Sequence, residues 1–510
     1  MISNKFKSDF SASLVVFLVA LPLCMGIALA SGGTVVQGLL SGVIGGLVVG
    51  ALSGSHTSVS GPAAGLITIV DGAIRDLGSM EIFVTALFVA GLIQCLFGFL
   101  KGGFLADFIP VSVIKGMLAA IGITLVLKQL PHMVGYDADA FGEMEFAQKD
   151  GHNTFSELYY MLDSITPLAL IISSLGLGLQ FVWEIPALKS KGFFKSVPAA
   201  LVVVLLGVLI NEWALRFYSS GAIAPGHMVN VPSILGPDGA GTSLMVRPNW
   251  SALGNIQVYS VALLIAVIAS IESLLSIEAG DKLDPHKRVS APNRELIAQG
   301  FGNAAAGLLG ALPVTAVIVR TSANISSGAE TRRSAVLHGI WIALFVLLAP
   351  ALINKIPLSA LAAVLVYVGY KLARPSLVKA QFQKGWSAFA PFIITIMAIL
   401  LTDLLIGIII GLLVGFFFVI KTNYQKSFAM TQQGHEYQLV FKQQASFVNK
   451  SALKNSLASM PDSATVLLDF RDCHFVDADI ADIVQDFRES APERRIHFAI
   501  EAGNHTHLLS

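Results

Sequence analysis

Residues 310–323 read GALPVTAVIVRTSA. A proline is followed by an apolar run of about two turns and then by Arg320, in a 510-residue chain that is 54% hydrophobic and 13% charged, with mean hydropathy +0.72. Soluble domains carry about 25% charged residues, so most of this chain belongs in something other than water. The run is too short to cross a hydrocarbon core of about 30 Å at 1.5 Å per residue. It reads as a helix that begins inside the membrane. Pro313 ends one piece of chain and suits the first turn of the next, where its missing N–H costs nothing. The N–H groups of Thr315, Ala316, Val317 and Ile318 then lack intrahelical partners and point along the axis toward the membrane midplane.

Working outward, apolar segments fall near 12–30, 35–53, 60–74, 82–100, 110–130, 164–183, 196–213, 256–277, 294–311, 315–327, 334–353, 357–370, 387–402 and 403–421. The fold class is an all-α polytopic membrane protein with fourteen transmembrane segments. Two of them are short and interrupted by Gly or Pro: the tenth, above, and the third, SVSGPAAGLITIV at 58–70. Each is the third member of a run of seven. An odd-numbered repeat makes its second copy enter the membrane from the opposite side, and paired broken helices in inverted repeats point to a secondary transporter's central site. The repeats cover about 8–215 and 250–425, within a transmembrane domain of 1–425.

Basic residues test the count. With Lys5 and Lys7 cytoplasmic, even-numbered spans end inside beside Lys101; Lys189, Lys191 and Lys195; Lys282, Lys287 and Arg288; Arg332 and Arg333; Lys371 and Arg374; and Lys421 and Lys426. The acidic loop at 131–158 falls outside, in agreement with the positive-inside rule. This predicts a multi-pass protein of the plasma (inner) membrane, in contact with lipid, with both termini cytoplasmic. After about residue 430 the composition turns polar, and YQLVF, ATVLLDF and RIHFAI read as strands alternating with two helices. Residues 432–510 are expected to form a small α/β module, shortened at its end.

A formal net charge of zero argues against a nucleic-acid partner. Cys24, Cys95 and Cys473 are scattered and suggest neither a disulfide framework nor a metal site. No Walker loop, HExxH or GxSxG occurs, so an ATP motor or a membrane hydrolase has no support; the protein is expected not to be an enzyme and to need no cofactor. Two helix amino termini facing each other, one offering the N–H groups of Ala63, Ala64 and Gly65 and the other those of Ala316, Val317 and Ile318, concentrate positive potential that suits an anion. Arg320 lies one to two turns further on, where an intramembrane arginine faces a cavity or a partner. Glu272 is buried in span eight with Ser276 one turn along the same face. It either holds a proton, binds a cation such as Na+ with hydroxyl help, or forms a static ion pair with Arg320. Glu278, Asp281, Asp284 and Glu295 are expected to be solvated.

The blocks ALPLCMGIALASG, SGPAAGL and NRELIAQGFGNAAAGLLGALPVTAVIVRTSANISSGAETRRSAVLHG (293–339), with the α/β tail, resemble the SulP anion-transporter family over essentially the whole chain. The resemblance implies two inverted seven-segment repeats divided into core and gate domains, an anion held between segments three and ten, elevator-like movement, a homodimer and a C-terminal STAS-like domain. It implies that Glu272 stands at the acidic position of span eight, an aspartate in sodium-coupled bicarbonate members, with Ser276 as its accompanying hydroxyl. Arg320 matches a basic position near the family's anion site. Ala63 and Ile318 depart from the pattern by lacking hydroxyls, which favours bicarbonate over sulfate and dicarboxylates as substrate. Glutamate at 272 leaves Na+ and H+ open as the coupling ion. A nucleobase carrier would share the architecture, but Arg320 and the tail count against it; an uncoupled channel would have little use for Glu272. In the tail LLDFRDCHFVDADIADIV, Ala478 stands where many bacterial relatives carry a phosphorylatable serine.

Overall fold

A computed structural model of the chain describes residues 2–138, 141, 146, 151–189, 194, 197–233, 246–425, 428–441, 444–446 and 449–503. Lys191, Lys195 and Lys426 lie outside the described residues, as do Asp139, Glu143, Glu145 and Asp150 of the acidic loop and the end of the tail, 504–510. Two compact units are formed, one of residues 1–384 and 388–412, the other of 385–387 and 413–510.

Each of the fourteen predicted segments falls on a helix. The first half contains α1 (Ile2–Ala30), α2 (Val35–Ile44, prolonged by a π-turn to Leu52), α3 (Ile67–Leu77), α4 (Met80–Phe99), α5 (Val111–Val134), α6 (Pro167–Trp183) and α7 (Ala199–Phe217). The second contains α8 (Ile256–Leu283), α9 (Pro292–Leu309), α10 (Ile318–Ser326), α11 (Arg333–Leu348), α12 (Leu358–Leu372), α13 (Trp386–Leu401) and α14 (Leu404–Gln425). Among the described residues, eight helices are long and apolar enough to span, and α6, α11 and α13 are shorter apolar ones. With 11 and 9 residues, α3 and α10 reach only about 16 and 14 Å at 1.5 Å per residue, half a bilayer core. α3 stops at Gly78, whose φ of 77° places it in the left-handed region that ends helices without a Cβ penalty.

The helices sort into two groups. In the core, α1 packs on α2, α10 and α11, and α4 packs on α8 and α9. Small residues set these crossings, as expected where lipid supplies no hydrophobic drive for association: a Cβ on Gly46 would lie 2.5 Å from the Gly339 Cα, and one on Gly91 2.3 Å from the Ala304 nitrogen. In the gate, α12 packs on α5 and α6, and α6 on α7. The chain enters α3 through strand β1 (Ser60–Pro62) and α10 through strand β2 (Val314–Ala316), and the two strands pair antiparallel with Gly61 opposite Thr315. The half-helices therefore leave the crossing in opposite directions, which is the inversion of the two repeats seen at its centre.

In the second unit, β3 (Phe428–Gln433) pairs antiparallel with β4 (Glu436–Phe441), while β4, β6 (Thr465–Asp469) and β8 (His497–Glu501) run parallel. Helices α15 (Lys450–Ala458) and α16 (Ala478–Ser490) make the crossovers, and β5 (Gln444–Ala445) pairs with β7 (Phe475–Val476). Its core includes Leu439, Phe441, Leu468, Phe470 and Val484, with Phe441 and Phe470 stacked at 4.5 Å. Asp477 caps α16 by accepting the Asp479 N–H at 3.0 Å, and Ala478 is the first helical residue. Three strands of this unit are absent from the sequence reading: β3, because FAMTQQ is an exposed edge without apolar alternation, and the two-residue β5 and β7, which are too short to leave a pattern.

Candidate functional site

The crossing corrects the first reading of GALPVTAVIVRTSA. Pro313 precedes a strand and not a helix. The Val314 N–H is donated to Asn303 Oδ1 at 2.7 Å, the Ala316 N–H to Ser273 Oγ at 3.3 Å and the Val317 N–H to the Val59 carbonyl at 3.0 Å. Val314, Thr315 and Ala316 are held extended as strand β2, with the Val314 and Ala316 N–H groups taken by side chains, so α10 starts one turn later than expected. Its cap residue Val317 is extended and has no capping side chain, which leaves the N–H groups of Ile318, Val319 and Arg320 without intrahelical partners. The other half behaves alike. Ala63 is extended without a side-chain cap, and a 3-10 turn over Ala64–Leu66 leads into α3. Valine and alanine are poor caps, so neither helix start is covered by the side chain of its own cap residue; on the α3 side the Glu272 carboxylate stands beside the Gly65 backbone.

Behind the strands, α9 holds them in place. Glu295, Gln299 and Asn303 are spaced by four, on one helical face. Asn303 Nδ2 donates to the Val314 carbonyl at 3.0 Å, and Gln299 Nε2 to Ser60 Oγ and to Glu295 Oε1, both at 2.8 Å. Glu295 also accepts from Ser53 Oγ at 2.5 Å and from the Gly54 N–H at 2.9 Å. The expectation that Glu295 is solvated is therefore wrong: it is fully buried and structural. Asp284 is buried too and accepts from Arg288 Nε at 2.7 Å, and Asp281 accepts from Ser290 Oγ at 2.7 Å. Glu278 and Asp281 are partly exposed, in keeping with the expectation, and Glu278 pairs with the half-exposed Lys282.

In front of the strands lies a cavity of about 70 Å³, several times the roughly 15 Å³ that one water needs by the same kind of measure. The core contributes Ala64, Gly65 and Thr68, then Glu272, Leu275 and Ser276, then Val317, Ile318 and Val319. The gate contributes Met117, Ile121 and Thr124 from α5 and Ile399, Asp403, Leu404 and Ile408 from α13 and α14. Six of the nine residues singled out from sequence thus share one wall. Ala63 and Ala316 sit just behind it in apolar clusters. A Cβ on Gly65 would stand 3.2 Å from Glu272 Oε1, and Glu272 Oε2 is shielded from solvent with no hydrogen-bond partner. Thr68, Thr124 and Asp403 were missed by the sequence reading. Thr68 is one turn beyond Ala64 and was legible by spacing; the other two come from gate helices and carry no sequence signal linking them to this cavity.

Arg320 is placed differently from expectation. It does not line the cavity. It is fully buried on the far side of α10, beside the Cys24 thiol and the His338 ring, and packs so closely on β1 that a Cβ on Gly61 would lie 1.8 Å from Arg320 Nη1. Among the described residues none of its guanidinium nitrogens has a nitrogen or oxygen hydrogen-bond partner, and the Cys24 thiol is the polar group beside it. Among the described residues no ion pair joins Glu272 to Arg320, so the static salt bridge is not formed.

Two half-helices that start without side-chain caps at an antiparallel crossing, with a small, mostly apolar cavity in front of them that holds Glu272, define a membrane transport protein of the inverted-repeat type. Residues 6–398 match the sulfate permease family, and the chain belongs to that family, whose members are transporters and not enzymes. It is 29% identical over 436 residues to the putative sulfate transporter YvdB of Bacillus subtilis, covering 85% of this chain and 77% of the relative. It is 27% identical over 385 residues to the bicarbonate transporter BicA of Picosynechococcus sp., covering 74% of this chain and 63% of BicA. Among solved structures it resembles SLC26A9 with a TM-score of 0.70 and 16% identity, over 100% of this chain and 86% of that one. It also resembles the transmembrane domain of a cyanobacterium bicarbonate transporter BicA with a TM-score of 0.52 and 22% identity, over 80% of this chain and 97% of that one. These structural likenesses are of fold.

Proposed function

We propose that the protein is a secondary active transporter of a small inorganic oxyanion, bicarbonate ahead of sulfate, coupled to Na+ or H+. The observation that carries this is the pair of uncapped helix starts on a cavity that also holds Glu272. The free N–H groups of Ile318 and Val319 hold the anion's charged oxygens, aided by the positive ends of the two short helices. Glu272 and Ser276 take the coupling cation, or Glu272 takes the proton, so that a buried carboxylate and a bound anion neutralise each other's cost. Arg320 adds positive potential from behind the strands. The core then slides past the gate in an elevator-like movement that exposes the cavity to each side in turn. In this reading residues 1–425 form the transport domain and 432–510 a STAS-like domain. The protein works as a homodimer in the inner membrane, with both termini cytoplasmic. Bicarbonate is favoured because the two helix starts, Ala63 to Gly65 and Val317 to Val319, offer no side-chain hydroxyls for a divalent anion that gathers many hydrogen bonds.

The test is uptake of labelled bicarbonate and labelled sulfate into proteoliposomes, under an imposed sodium gradient and then a proton gradient. Bicarbonate uptake driven by one of the two gradients is expected, and the gradient that drives it identifies Na+ or H+ as the coupling ion. Proton-driven sulfate or dicarboxylate uptake would overturn the substrate assignment, and flux insensitive to both gradients would make the protein an uncoupled anion channel.

A further inference from the structure

Asp403 is an acidic residue on the gate side of a cavity assigned to an anion. It stands between α13 and α14, and its Oδ1 accepts the Ile406 N–H at 2.8 Å, which caps the start of α14. Among the described residues it has no ion pair, and its Oδ2 has no hydrogen-bond donor. The other gate residues around the cavity are apolar except for Thr124, which is buried with an unpartnered Oγ1. The core side offers N–H donors beside Glu272, the carboxylate assigned above to the coupling ion; the gate side offers an acceptor of its own, Asp403.

A carboxylate that faces an anion repels it, unless the anion presents a proton to the carboxylate. Bicarbonate does so: two of its oxygens share the negative charge and the third is an O–H donor. Sulfate has acceptors only, and acetate keeps the shape and single charge of bicarbonate but has a methyl group where the O–H is. We propose that Asp403 selects a singly protonated oxyanion by accepting its O–H, while the α10 N–H groups take the two charged oxygens. The inference rests on the transport reading above and names the chemical feature of the substrate that this site reads. A site built to bond a substrate hydroxyl rejects an analogue lacking it by far more than a merely apolar pocket does, because the site's own polar group is left unpaired.

The test uses the full chain in proteoliposomes, with labelled bicarbonate as substrate and sulfate and acetate as competitors present on both sides of the membrane. In the wild type, a tenfold excess of either competitor is expected to leave bicarbonate uptake largely intact. Asp403→Asn keeps a capping oxygen for α14, since asparagine is as good a cap as aspartate, but its amide presents a donor where the carboxylate presented an acceptor. It is expected to lower the preference for bicarbonate over sulfate and over acetate at least tenfold at unchanged melting temperature. Asp403→Ser, a second good cap, should do the same. An Asp403→Asn protein with wild-type selectivity overturns the inference and leaves the transport reading standing. A wild type in which acetate competes as well as bicarbonate itself also overturns it, whether or not the variants fold. A wild type that carries no bicarbonate overturns the substrate assignment as well.

Discussion

The two faces of the β1–β2 crossing are built on opposite rules. Behind it, Glu295 is buried among Ser53 Oγ, the Gly54 N–H and Gln299, and Asn303 grips both backbone groups of Val314. In front of it, Glu272 Oε2 and Thr124 Oγ1 have no partners, and α10 starts without a cap. Both faces use glutamate, so residue type does not separate scaffold from site: Glu295 is fully buried and paired, while Glu272 is partly accessible with Oε2 unpartnered among the described residues. The separation holds for the two glutamates and not for every polar group, since Gln299 Oε1 and the Arg320 guanidinium behind the strands are also unpartnered there. A buried group that is paired holds the fold together, and one left open in a cavity is kept for something that arrives.

The contrast is open to experiment. Glu272→Gln should abolish gradient-driven anion uptake, a loss of a hundredfold or more, while the purified protein keeps its elution profile; undiminished uptake would put Glu272 on the structural side. Asn303→Ala strips the Val314 N–H and carbonyl of their partners, and unsatisfied buried groups cost about 1–3 kcal/mol each. A destabilisation of about 3 kcal/mol is expected in detergent, read by denaturant titration. Val317→Thr keeps the side chain's shape and adds a hydroxyl able to accept from the N–H two or three residues on. This internal cap should cut uptake roughly tenfold without loss of melting temperature. Thr34→Val is the converse change, at a helix start where the protein does use a capping box with Gln37. It should cost about 1 kcal/mol and leave the uptake rate per folded molecule alone.

The smallest effect is expected in the second unit. Hydrogen bonds from the Arg471 guanidinium, at 2.7 and 3.0 Å, hold the Asp469 carboxyl below the usual aspartate range against burial that works the other way. A carboxyl lowered in the native state adds stability that is complete above its unfolded value of about 3.9 and fades as pH falls through the native one. The stability difference between wild type and Asp469→Asn should therefore be constant near neutrality and shrink below about pH 4, as followed by acid unfolding.

The sequence carries the helices better than it carries the crossing. The long segments were legible because apolar runs of membrane length are a strong local signal, and the short third and tenth through their Gly and Pro interruptions at matching positions. The strands were not, because three residues pairing with three others in the opposite half of the chain leave no periodicity behind. Pro313 then misled, being equally at home before a strand and at the first turn of a helix. The reading of Glu295 failed on distance from the expected span end, although its spacing with Gln299 and Asn303 was visible as one helical face. Glu272 and Ser276 were legible because acidic residues in apolar spans are rare. Thr124 and Asp403 were not, since only tertiary packing brings α5 and α14 to the cavity.

The register of the crossing, Ser60 with Ala316, Gly61 with Thr315 and Pro62 with Val314, has a local twofold axis running through its middle pair. Turned about that axis, the two strands exchange and each half-helix takes roughly the other's place, α3 entering through a 3-10 turn that α10 lacks. A cradle of that symmetry is without a front or a back, and it imposes no direction of its own. The axis is broken in side-chain chemistry: α8 carries Glu272, while α1 has no acidic residue from Phe10 to Ala30. Side-chain asymmetry of that kind can decide which ions travel together, and the direction of net flux is left to the gradients on the two sides.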